Sequence, residues 1–479
     1  MVNNFKWSKN IGGIIYFFIF AVFVLTTFSI FPLDDDWIYY TSPNTTFSID
    51  DLLPTESFWR PFDVIFGYLI GKFPYAFPVV NHIAVAFAHV LSAKLIEKIT
   101  KLMGYSKSAR IFSVAFFLFS PAIWATLVSP DGLNQAFSLL FGVVSCFCFL
   151  NNRKVLYIIF VVLAMLWKES GVSFFAVAPL LGVVNNIHCD NTSEIKKAVL
   201  FLIKYALLAI FVIMLYFSFR FALAGSIQLG HSDGRYSVSI LSLNTAKNTV
   251  ILVLFASTFM DTISVFLGAI TDLPFVITFP LNIVFLFMMC IALFRNAGKS
   301  VIIKYILFLV IMFVLAFPQA IIVSVGELHA YPVLFGVGLL YGCIYDNICT
   351  NKTLVTNALL VCSSVCFLMV GAHKLDMIYK YSAETKEFTK RLYEEGARDC
   401  ESICIITTPI EAGYSVFYQP PIVGAGYGNC LKLYNGWKNI NQCVETVNSF
   451  DDIADICNKN FDLYEHIVFV DGDDINVIK

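Results

Sequence analysis

Runs of about twenty apolar residues recur through the first 371 positions, and few architectures accept so many of them. An α-helix needs about 20 such residues to cross a hydrocarbon core ~30 Å thick. No water is available there to satisfy the backbone, so each crossing must bond within itself. Windows of this size give spans at 11–33, 78–98, 110–128, 132–150, 155–168, 171–187, 198–224, 275–294, 301–325, 331–349 and 353–371. Eleven crossings place the two termini on opposite faces. Charge content divides the chain at the same point: residues 1–371 carry 39 charged side chains, and the last 108 positions carry 27. With 48 Phe against 34 acids, and 14% charged residues where a soluble domain has about 25%, a soluble globular enzyme is excluded. A net charge of −2 supplies no basic surface for nucleic acid. The expected fold is an α-helical polytopic membrane protein over residues 1–372, with a small α/β soluble domain over 373–479.

Lys and Arg set the orientation of such a bundle. Alternating loops gather 16 basic residues on one side, from Lys6 and Lys9 through Lys94–Arg110 to Lys352, and leave six on the other. The basic side reads as cytoplasmic, so the N-terminus is cytoplasmic and the soluble domain extracytoplasmic. Residues 249–270 are apolar but broken by Asp261, and they read as an interfacial or re-entrant helix. The first span lacks a small-residue cleavage site and is expected to persist as an anchor.

In the C-terminal domain, 376–397 has a helical pattern, Ser402–Thr408 and His466–Val470 read as buried strands, and Phe450–Asn458 as a helix. Five of the 13 cysteines fall here. An oxidising compartment allows one or two disulfides, with Cys430–Cys443 favoured; five buried thiols are the alternative. No Cys-x-x-Cys pair occurs, which leaves zinc and thioredoxin chemistry without a motif.

Ionisable residues at membrane depth cost free energy and mark functional sites. Five groups stand out, all on the outer face. Asp34, Asp35 and Asp36 follow the first span; adjacent carboxylates repel, so they need a cation, a hydrogen-bond network or a shared proton. Such a cluster can serve as general base or hold a divalent cation, and it can equally be a solvated loop. Arg60, in Trp59-Arg60-Pro61-Phe62, has the planar fork that suits phosphate, or is an interfacial anchor. His82 and His89 share a helix face, with His82 nearer the outer surface. Lys168 and Glu169 follow an apolar run of 13 residues, too short to cross at ~1.5 Å per residue. They are expected below the outer surface, lining a polar cavity or paired with each other. Glu327, His329 and Tyr331 end a further span. No Walker loop, dinucleotide fingerprint, nucleophile elbow or His-Glu-x-x-His motif is present.

In this order, the acidic run, Trp-Arg-Pro-Phe, the Pro-x3-His-x6-His helix, Ser129-Pro130, Lys-Glu-Ser-Gly at 168–171 and Glu-x-His-x-Tyr-Pro at 327–332 resemble the GT-C superfamily of membrane glycosyltransferases. The pattern is closest to O-mannosyltransferases with tetratricopeptide repeats and to bacterial enzymes that modify O-antigen or lipopolysaccharide. It covers roughly residues 10–372, and no helical repeats follow. The resemblance implies a sugar donor on a polyprenyl phosphate, a glycan acceptor, and chemistry at the outer face of the bilayer, with a bacterial inner membrane as location and the C-terminal domain periplasmic. It matches Asp35 and Asp36 to the family's acidic pair, with Asp34 leaving the register open by one position. Lys168 and Glu169 match its Lys-Glu, and Glu327 with Tyr331 its late Glu-Arg-x-x-Tyr element. His329 stands near the usual basic residue. The implied roles are base for the Asp run and donor-phosphate contact for Arg60, Lys168 and His329. His82, Glu169, Glu327 and Tyr331 would support them. A transporter or flippase for lipid-linked saccharides, or a polymerase or ligase, is the competing reading.

Overall fold

The computed structural model describes residues 7–33, 48–54, 59–71, 79–129, 132–186, 192–225, 242–258, 276–277, 279–287, 298–322, 325–349, 353–408, 421–435, 440–447 and 450–479. Helix follows helix through the first four-fifths of the chain. The helices are α1 (Trp7–Thr27), α2 (Pro61–Gly71), α3 (Val79–Leu102), α4 (Lys107–Phe119), the short α5 (Trp124–Val128), α6 (Gly132–Leu150) and α7 (Lys154–Trp167). They continue as α8 (Phe174–Asn186), α9 (Thr192–Ala224), α10 (Leu243–Ser257), α11 (Lys299–Ala320), α12 (Val333–Cys349) and α13 (Thr353–Arg391).

Among the described residues, five helices are long and apolar enough to cross a bilayer, within α3, α6, α9, α11 and α13. A sixth arises if α4 and the 121–128 segment, bent by 45° at their junction, form one span. Three shorter apolar helices lie within α1, α7 and α12. Of the eleven sequence windows, five to six therefore meet helices of spanning length among the described residues, and the 110–128 window is interrupted by the bend at Ser120-Pro121. Part of the 275–294 window lies outside the described residues. Of 249–270, the first part belongs to α10, which is tied to α11 where Asn248 donates to the carbonyls of Ala320 (3.3 Å) and Ile322 (2.9 Å). Asp261 lies outside the described residues.

Apolar spacing decides which faces pack. On α3, Val85, Ala88, Ser92, Ile96 and Ile99 recur at three- and four-residue intervals and are all buried, giving one helix face turned to the core. Close approach fixes α6: a Cβ on Gly142 would lie 2.1 Å from the Phe174 ring, so α8 seats its first aromatic where only glycine leaves room. α9 is the opposite case, with 6% of its apolar window buried. Leu207, Phe211, Leu215 and Phe219 point outward, as suits a helix solvated by lipid.

α13 runs without a break from the bundle through position 372 into the C-terminal domain. It ends in a π-turn at Leu392–Ala397. Beyond it lie β1 (Ser402–Thr407), β2 (Asn441–Thr446), α14 (Phe450–Asn460), β3 (His466–Asp471) and β4 (Asp474–Val477). The strand order is β2-β1-β3-β4, with β1 parallel to both neighbours and β4 antiparallel on β3. Ile403 to Ile406 are fully buried, the continuous apolar run of a strand covered on both faces. α13 and the 421–433 segment cover one face and α14 the other. The first of these cores includes Phe31 and is packed by Phe66, both from the bundle, so the small domain packs on the segment after α1 and on the middle of α2.

The expected Cys430–Cys443 disulfide is absent, and both thiols are free. The sheet separates them. Gln442 faces the 421–433 segment, donating to Asn429 (2.9 Å), and side chains alternate along a strand. Cys443 is therefore on the α14 face, opposite Cys404 in register. Cys430 is buried on the other face, and its burial pushes the thiol up to about 12.

Candidate functional site

The polar residues singled out in the sequence gather at one end of the bundle, where α2, the α7–α8 turn and the α11–α12 turn meet. Arg60 stands one residue before α2. Trp59 fixes it: the indole donates to the Leu52 carbonyl (3.0 Å) and packs on Tyr216 and Phe219 of α9. On the other side Phe62 stacks on Trp167, the last residue of α7. The guanidinium meets Glu169 through Nε (3.0 Å) and Nη2 (2.9 Å), and the Trp59 amide donates to the same carboxylate (3.3 Å). Glu169 thus pairs with Arg60, 109 positions away. The tight turn that presents it needs Gly171, where a Cβ would lie 2.5 Å from the Ala164 backbone.

Two hollows flank the Trp59-Arg60 step. A polar one of about 230 Å³ is lined by Asp51, Arg60 and Asp63, with Leu52, Leu53 and Val64. Asp63 is oriented by Asn134, which donates to it (3.0 Å). An apolar groove of about 260 Å³ lies behind Trp59, between Val162, Met165 and Leu166 of α7 and Val212, Leu215 and Phe219 of α9. Of its lining, Leu215 and Phe219 belong to the exposed apolar face of α9. The Trp59-Arg60 step is the seam between the two.

Lys168 faces the α11–α12 turn. Burial, and then the Lys168 ammonium, hold the His329 imidazole down at about 3, although the Gly326 backbone opposes the shift. Its Nδ1 accepts from the Gly326 amide (2.9 Å). Burial thus favours the neutral imidazole near pH 7, which could meet a phosphate as an N–H donor. Glu327 is wholly buried and forms an ion pair with Lys374 of α13, whose ammonium also donates to the Pro121 carbonyl (3.2 Å). Tyr331 is buried against His89, hydroxyl to Nδ1 at 2.9 Å, and this ring also stacks on Phe117. His82 is buried against the backbone of Leu127 and Ile30. Tyr331, His89 and His82 are thus part of the packed interior beside the site.

Asp34, Asp35 and Asp36 lie outside the described residues. The chain reaches them through Ile30, Phe31 and Leu33, all buried, and the Phe31 amide donates to Ser382 of α13 (2.7 Å). Among the described residues no group of three or more His, Cys, Asp or Glu side chains is placed to hold a metal ion.

Three residues were missed by reading the sequence. Lys374 stands three residues beyond the apolar run 353–371, and its signal was its position at a span's edge. Arg220 is 1% exposed, and with Glu169 and Arg60 it acts on Tyr216 of α9. An arginine inside a 27-residue apolar window was signal enough. Asp63, two residues into α2, carried no pattern of its own. No protein-family model, no curated protein and no solved structure matches this chain.

Proposed function

We propose that this chain is a membrane glycosyltransferase that moves a sugar from a polyprenyl-phosphate donor to a glycan hydroxyl at the outer face of the bilayer. What supports the reading is the seam at Arg60. A lipid-linked sugar is apolar at one end and polar at the other, with an anionic phosphate between. The groove at Trp59 and Phe219 suits the chain, and the hollow at Asp51 and Asp63 suits the sugar. Arg60 then falls at the phosphate, where its fork can make paired charge-assisted bonds, with Glu169 holding the guanidinium in place.

In the reaction the acceptor oxygen attacks the anomeric carbon, the sugar–phosphate bond breaks, and the phosphate leaves with the electron pair. Cations aimed at that developing charge in a water-poor site lower the barrier. Arg60 and Lys168 fill this role. The acceptor must also lose its proton, and Asp35, with Asp36 beside it, takes it as general base. A divalent cation held by the Asp run would add electrostatic stabilisation. The eleven-span topology, with a cytoplasmic N-terminus and periplasmic C-terminal domain, belongs to the same proposal, as does a bacterial inner-membrane location.

The test uses purified protein in vesicles with polyprenyl-phosphate sugars. Release of polyprenyl phosphate, dependent on an acceptor glycan, is the expected result. Movement of intact donor between leaflets without cleavage would identify a flippase instead. Transfer of a whole saccharide chain would identify a polymerase or ligase.

A further inference from the structure

At the end of the bundle opposite Arg60, a groove bounded by α1, α3 and α4 closes on charge. Glu97 marks that end: it lies fifteen residues beyond His82 on α3, roughly 22 Å along the axis. The groove has a volume of about 370 Å³. Ile15 and Ile19 form one wall, and Ile111 and Phe119 the other. Ile15, Ile111 and Phe119 are outward-facing, as side chains meeting lipid should be. Lys107 and Arg110, from the first turn of α4, line its polar end.

The charges at that end do not cancel. Glu97 is already engaged by Tyr16, whose hydroxyl donates to it (3.1 Å), and by Lys94 (2.7 Å). The Lys94 ammonium also sits 4.5 Å over the Tyr16 ring. Arg110 Nε is buried and has no hydrogen-bond partner among the described residues. Asp346 accepts from the Ser106 amide one residue before Lys107 (3.1 Å), so Lys94, Lys107 and Arg110 against Glu97 and Asp346 leave one positive charge in excess among these groups. A buried guanidinium N–H beside hydrocarbon demands an acceptor, and the apolar floor running on from it selects what can bring one.

We infer that this groove binds an anionic glycerophospholipid, with its phosphate on Arg110 and Lys107 and one acyl chain along Ile15, Ile19, Ile111 and Phe119. Charge complementarity chooses an anionic head over a zwitterionic one, and the groove's length along α4 chooses a lipid over a small anion. The site is independent of the chemistry proposed for the Arg60 end, and so is its test.

Purified full-length protein in a neutral detergent is examined by native mass spectrometry with phosphatidylglycerol and with phosphatidylcholine of the same chains. Phosphatidylglycerol should be retained about tenfold or more over phosphatidylcholine, the scale of one charge-assisted contact. Arg110→Ala should reduce it to the phosphatidylcholine level, and Arg110→Lys should keep part of the preference. Ala115→Trp, which fills the groove floor without touching a charge, should weaken both lipids. Excess inorganic phosphate should leave the lipid in place. Equal retention of the two lipids overturns the inference, as does unchanged binding in Arg110→Ala. Displacement by inorganic phosphate would make this a plain anion site and overturn it as well. If Arg110→Ala does not fold, Lys107→Ala and Ala115→Trp carry the same readings.

Discussion

Glu327 and Lys374 form an ion pair in which neither side chain is exposed, joining the turn before α12 to the middle of α13 across 47 positions of sequence. Removing one partner leaves the other charge buried, which costs about 3–5 kcal/mol, whereas replacing both with apolar residues of similar size is often neutral. Glu327→Gln and Lys374→Met should each lower the melting temperature sharply. Glu327→Leu combined with Lys374→Met should recover most of the loss. Thermal unfolding in detergent checks this, and additive losses in the double variant would mean that the two residues do not act as a pair.

Arg60→Ala removes the proposed phosphate contact. A lost charge-assisted bond costs about 1.5–3 kcal/mol, so donor efficiency should fall roughly 10- to 150-fold. Glu169→Gln should have a smaller effect, since Glu169 orients Arg60 and does not contact the donor. Steady-state kinetics at varied donor concentration measure both. Wild-type kinetics in Arg60→Ala would reduce this residue to an interfacial anchor.

Two carboxylates compete for the role of base, and substitution separates them. Asp35→Asn should cut turnover by the 10²–10⁴-fold typical of a lost acid–base group while donor binding survives. Asp34→Asn should be the mildest change in the run. Asp63→Asn should act on substrate affinity, because Asp63 lines the polar hollow beside Arg60. If turnover collapses in Asp63→Asn and persists in Asp35→Asn, the base is on α2.

His329 gives a pH dependence of definite sign. Its folded-state value, held at about 3 by burial and then by Lys168, lies below the ordinary value of about 6.5. Between these the unfolded chain binds more protons than the folded one, so stability rises with pH through this window and falls as pH drops from about 6.5 toward 3. Protonation would also remove Nδ1 as acceptor for the Gly326 amide. His329→Gln should flatten the profile of melting temperature between pH 4 and 7 (about the span of the shift). An unchanged profile would assign the acid sensitivity to other groups.

Much of the fold was legible because membrane helices and buried strands are written in local composition. α3, α6 and α9 coincide closely with apolar windows, and β1 and β3 with short runs rich in Ile and Val. Ends were harder. The 110–128 window contains a bend at Ser120-Pro121 that hydropathy does not register. β2 and β4 were missed: one reads Asn-Gln-Cys-Val-Glu-Thr and is mostly uncovered, the other is a short edge strand. Such strands are specified by pairing with β1 and β3, which is not a local signal.

The site divides in the same way. Sequence determined that Arg60, Lys168, Glu169, Glu327 and His329 would lie beside membrane helices, because each interrupts or ends an apolar run and charge is expelled from hydrocarbon. Tertiary structure decided how they pair. The placement of Arg60 before α2, set by Trp59 against Phe219 and Phe62 against Trp167, brings it to Glu169, 109 positions away, which no local signal foretells. Lys374 was an ordinary charge after a span until the unbroken course of α13 carried it to Glu327. Cys430 and Cys443 were plausible partners until a sheet was placed between them. Composition fixes the environment a residue must find, whereas its partner depends on how distant helices and strands are turned and stacked, which no short window of sequence contains.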